Sequence, residues 1–202
     1  MDHIFWILID FAGIAVFALS IGLQRFGCQD DMHPWVELFY LPTLLLVAIV
    51  VQFLSTCTLF VLKPLWPHRS VVRATTCLIL ALWLYVPIVH RYFGDEDEEL
   101  HHHNRAFQWL VVSGIFMNAH VPERFAPPGI FDLVGYGHQL FHLCVIMVSW
   151  NLLEAAQTDC HQHISSWGDM RNVMCAGTIL FGGALIAHTI YSLMHKAKGK
   201  YE

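Results

Sequence analysis

Charge is what this sequence has least of. Lys, Arg, Asp and Glu supply 13% of its 202 residues, roughly half the ~25% of an ordinary soluble domain. Hydrophobic residues supply 56%, and the mean hydropathy is +0.50. So little charge excludes a water-wrapped globule and points to a polytopic membrane protein, an all-α helix bundle whose faces meet lipid and one another. Other absences narrow the reading further. The opening MDHIFWILID lacks a basic start and a small-residue cleavage site, so the first apolar segment reads as an uncleaved helix rather than a signal peptide. The six cysteines lack the paired spacing of a zinc ribbon or a dense disulfide framework. Cys57, Cys77, Cys144 and Cys175 fall in apolar runs, where a thiol behaves as a small hydrophobe. Cys28 and Cys160 fall in polar stretches on one side of the expected topology, and a bridge between them is expected. The net charge of −5 comes mostly from one loop, and nothing in it suggests a nucleic-acid partner. No repeat and no Ser/Gly linker divides the chain, which reads as one transmembrane domain over 1–202.

What is present is a series of apolar runs. Six approach the ~20 residues needed to span, near 4–24, 37–61, 71–89, 106–121, 130–153 and 173–194, the fourth being the shortest. With six spans, the side holding both termini carries seven Lys and Arg and the other side four, which predicts cytoplasmic termini. The acidic run from Asp95 to Glu99 and the neighbouring His101, His102 and His103 read as a solvated loop. Pro42 falls near the start of the second run, where it disrupts least. Gly182, Gly183 and Ala184 offer a small-residue contact for another helix.

Three polar residues stand out within the oily runs. Asp10 lies in the first, and an intramembrane carboxylate needs a partner or a proton. His138 and His142 lie in the fifth at i and i+4, one turn apart on one helix face. That is a zinc-ligand spacing, but catalytic zinc usually has three protein ligands and an open position for water, so the pair alone is half a site. Asp10 is expected at about the same depth, which groups the three. His188, in the last run, reads either as a core histidine or as a residue lining a ligand pocket.

The stretch PERFAPPGIFDLVGYGHQLFHLCVIM resembles the C-terminal motif of the progestin and adipoQ receptor family, and NLLEAAQTD and IDFAGIA resemble their counterparts there. The phrasing of HVPERFAP and GHQLFHLC resembles the membrane progestin receptor branch. The resemblance runs from the third family helix to the C-terminus, so it implies a shortened version of a seven- or eight-helix fold. It implies a zinc ion held by His138 and His142 together with a histidine from an earlier Ser-x-x-x-His helix that this chain does not contain, with Asp10 beside the zinc-bound water. It also implies a plasma-membrane receptor for a lipophilic, progestin-like ligand, signalling through a cytoplasmic protein. The alternatives are a zinc-dependent lipid amidase acting on a sphingolipid, with Asp10 taking the water proton, or a non-catalytic isoform acting with a longer relative. Gly137 stands where the family usually has serine, and Pro127 with Pro128 adds a proline to the turn.

Overall fold

The computed structural model describes residues 2–28, 33–93, 100–119, 121–125, 127, 130, 135–163 and 169–201. Among them every regular element is helical: α1 (Asp2–Gly27), α2 (Pro34–Leu62), α3 (Arg69–Tyr85), α4 (Leu100–Ala119), α5 (Gly137–His163) and α6 (Asp169–Tyr201). The chain forms two compact units, Met1–Val89 with His163–Glu202, and His90–Gln162.

In the first unit α1 is the centre, touching α2, α3 and α6. Its buried residues, Leu8, Phe11, Ala15, Leu19, Leu23 and Phe26, recur every three or four positions and form one inward stripe. Two glycines bring neighbouring helices in. A Cβ at Gly22 would lie 2.5 Å from a Leu44 methyl of α2, and one at Gly182 of α6 would lie 3.0 Å from a Leu19 methyl. Gly183 has open space instead, so of the two glycines in the small-residue cluster only Gly182 makes a close contact. Trp6, Val16, Leu46, Leu82 and Phe181 are exposed, as lipid-facing side chains must be.

The second expected run is one continuous helix whose middle, Leu46–Leu54, widens into π-helical turns. Pro42 lies inside it rather than at its start. A proline there removes one backbone donor and crowds the preceding turn, and the Thr43 hydroxyl contacts the Phe39 and Tyr40 carbonyls at 2.6 and 3.0 Å. Arg25, just past the end of the expected first run, is helical. Arg25 is 2% exposed, donates from Nη1 to the Leu84 carbonyl at 2.6 Å and covers the Tyr85 ring at 4.3 Å.

The second unit joins a 3₁₀ turn, Val86–Phe93, to α4 and α5 by charge. Asp159 of α5 is bonded by Arg91 Nη1 at 3.0 Å and faces His103 Nε2 of α4 at 3.5 Å. α4 coincides with the expected fourth span, but five other helical stretches have the length and apolar character to cross a membrane: His3–Gly27, Pro34–Leu62, Arg69–Val89, Gly137–His161 and Met170–Lys198. Its opening Leu-His-His-His-Asn-Arg, with Gln108 and Asn118, keeps α4 more polar than they are. The acidic run 95–99 lies outside the described residues.

The fifth run is displaced. It was expected over 130–153, but α5 starts at Gly137, after Gly135 turns the chain at φ 85°, and continues to His163. Leu, Glu, Ala and Gln in NLLEAAQTD are good helix formers, and polarity alone does not stop a helix. Cys160 is therefore helical rather than in a loop.

Asp159→Ala is expected to cost about 3 kcal/mol or more, because it leaves a largely buried guanidinium without its carboxylate. Thermal unfolding of the purified protein in detergent measures this, and a midpoint equal to wild type would contradict the packing described.

Candidate metal centre

His138 is the second residue of α5, and His142 follows one turn later. Their Nε2 atoms are 3.0 Å apart, with the rings nearly perpendicular. Two nitrogens bound to one tetrahedral zinc at ~2.0–2.1 Å stand about 3.3 Å apart. The pair therefore needs only a few tenths of an ångström of adjustment to grip such an ion. Phe141 lies between them in sequence and is buried. His138 stacks on its ring at 5.7 Å and His142 meets it edge-on at 5.0 Å, which limits the rotamers of both. Both histidines are exposed.

α5 begins at Gly137, so His138 and His142 occupy its first two turns rather than the interior of a run starting at 130. Asp10 belongs to the first unit, half-buried on α1. In that unit it attracts Arg73 of α3 electrostatically, so the carboxylate has a cationic neighbour that the sequence reading left out. Phe60 of α2 borders this region: its ring meets Phe11 edge-on at 5.0 Å, and Arg69 and Arg73 lie over it at 4.9 and 5.5 Å. His188 is exposed on α6, on a side shared with Phe181, Ala184 and Tyr191.

Two residues that the spacing of histidines did not single out shape the start of α5. Glu123 Oε1 accepts the Gly137 N–H at 2.6 Å, and Gln139 Oε1 accepts the Gly135 N–H at 2.7 Å. Gly137 is required by its surroundings. A Cβ there would lie 2.8 Å from the Val121 carbonyl oxygen, 2.9 Å from that of Phe116 and 3.2 Å from Glu123 Oε2. The glutamate was visible in the Pro-Glu-Arg motif, but nothing local to residues 121–125 says where its side chain goes.

Long apolar helices tied by buried charge, with paired imidazoles at one helix start, make this a multi-pass α-helical membrane protein. The chain belongs to the haemolysin-III related family, whose model matches residues 2–152, and within it to the membrane progestin receptor-like branch of the progestin and adipoQ receptors. It is 26% identical over 217 residues to membrane progestin receptor beta of Homo sapiens, a match covering 99% of this chain and 60% of that relative. It is 27% identical over 164 residues to membrane progestin receptor alpha of Homo sapiens, covering 78% and 47%. With membrane progestin receptor gamma of Mus musculus it shares 37% identity over 82 residues, 38% of this chain and 24% of that relative. The chain thus spans about half the length of the curated relatives it matches. No solved structure matches it.

Gly137→Ala is expected to destabilise the protein by about 1–3 kcal/mol, since backbone oxygens cannot yield as a side-chain end does. Gly177→Ala on α6, where an added Cβ meets nothing within 4 Å, is expected to be neutral or to stabilise by up to ~1 kcal/mol. Paired thermal unfolding curves check the contrast.

Proposed function

We propose that this chain acts as a membrane receptor for a lipophilic, progestin-like small molecule, built around a zinc-binding group. The observation that carries the receptor reading is its similarity to proteins named membrane progestin receptors, over 78% to 99% of its length in the alpha and beta matches. An apolar bundle is the kind of environment in which a sterol-sized ligand is buried. The ligand is taken from the membrane lipids around the helices, and His188 is the pocket residue proposed from the sequence. Both termini face the cytoplasm, where a signalling protein reads the conformational change, and the plasma membrane is the compartment proposed.

In this reading His138 and His142 hold the ion through Nε2. Zinc, when bound, supplies a Lewis acid and a water of lowered pKa. The residues of the chain supply the rest. The imidazoles orient the ion, Phe141 holds their rings, and Asp10 accepts or relays a proton. A second reading, a zinc-dependent hydrolase of lipid amides such as those of sphingolipids, is favoured by the same convergent histidines and gives Asp10 the role of proton acceptor.

Purified wild-type protein is expected to contain stoichiometric zinc, and His138→Ala or His142→Ala to lose it. Elemental analysis reads this, and zinc unchanged in both variants would refute the metal centre. Membranes expressing the chain are expected to bind labelled progestin saturably. No specific binding by folded protein would refute the receptor reading, and amide hydrolysis abolished by Asp10→Asn would favour the hydrolase.

A further inference from the structure

The first four backbone N–H groups of a helix have no partner within it, and α5 places His138 among them. Tyr136, just before the helix, offers its carbonyl to the N–H groups of Gln139 and Leu140 at 2.9 and 3.2 Å. Its phenol is not one of the short side chains that cap a helix start. The capping oxygen arrives instead from fourteen residues upstream. Glu123, in the short turn Glu123–Phe125, gives Oε1 to the Gly137 N–H, the residue immediately before His138. Its other oxygen, Oε2, is buried with no hydrogen-bond partner among the described residues. A Cβ at residue 137 would lie 3.2 Å from that oxygen and, more tightly, 2.8 Å from the Val121 carbonyl oxygen at the start of the turn that carries Glu123. From the other side of the turn, Gln139 reaches back to the Gly135 N–H, which resembles a capping box shifted by one residue. The negative carboxylate also lies at the positive end of the helix dipole.

We infer that Glu123 is a positioning residue for the histidine pair, clamping the first turn of α5 so that His138 and His142 present their Nε2 atoms together. The inference rests on the zinc reading above. The spacing of those two atoms exists only while residues 138 to 142 stay helical, and an uncapped first turn frays. Gly137 and Glu123 therefore work as a pair. The glycine lets the Val121 carbonyl, and with it the turn that carries Glu123, lie against the helix start.

The test uses the full chain purified in detergent, with zinc affinity read by competition against a chromogenic chelator and backbone hydrogen exchange read over residues 135–145. Glu123→Ala is expected to weaken zinc binding about 10-fold or more, as loss of a group supporting a metal ligand does, while Glu123→Gln, which keeps the reach and the acceptor oxygen, stays within about 3-fold of wild type. Glu123→Asp keeps the charge but falls one methylene short, and is expected to behave like Glu123→Ala. Exchange at Gly137 to His142 should rise in the Ala and Asp variants and not in Gln. Should the Ala variant fail to fold, Gln against Asp decides the matter. Wild-type affinity and exchange in Glu123→Ala, or an Asp variant that binds well beside a Gln variant that does not, would overturn the clamp. If wild-type protein takes up no zinc, the metal reading falls on its own. The exchange arm then still decides, since unchanged protection in the Ala and Asp variants would overturn the inference.

Discussion

In hydrocarbon, a polar group that finds no partner in the protein has none at all. That constraint governs this chain more than any single contact. It is why the described elements are all helical, with backbone bonds closed within each segment. It is also why the conspicuous polar side chains sit against specific acceptors or rings: Arg25 on a carbonyl and an aromatic face, Asp159 between Arg91 and His103, Asp10 near Arg73. Each of these places a charge that would otherwise oppose burial. Each also ties two elements that apolar contact alone would leave free to slide.

The same constraint explains what could be read from the residues and what could not. The first run announced α1 within three residues at each end, because a long apolar segment flanked by polar ones leaves little choice. The start of α5 could not be found that way. Ile130 to Val134 is as apolar as the helix that follows, and the boundary is set by Gly135, whose φ of 85° favours a residue without a side chain. The far end of α5 is hidden for the opposite reason, since its polar residues read as a loop while their helix propensity carries the helix on. The π-helical middle of α2 has no signature in an unbroken stretch of Leu, Val and Ile.

At the candidate centre, the spacing of His138 and His142 carried its own geometry, because i and i+4 neighbours meet on any helix. Asp10 is legible as an anomaly, but its electrostatic neighbour is not, since nothing in the sequence says which face of α3 meets α1. Glu123 lies within a motif that resemblance alone singles out. A capping contact across fourteen residues depends on the path of the intervening turn, which neither composition nor periodicity specifies.

The length of α6 has its own consequence. At ~1.5 Å per residue, its 33 residues extend about 50 Å. A hydrocarbon layer is ~30 Å thick, and even a steep ~40° lean lets a rod of only about 39 Å lie within it. Some 10 Å, close to two turns, must therefore stand clear of the acyl chains. The sequence at that end, His-Lys-Ala-Lys-Gly-Lys, has long cationic stems of the kind that reach for phosphate headgroups. A cationic helix end of this kind resists being drawn into hydrocarbon, which limits how far such a helix can slip along its own axis.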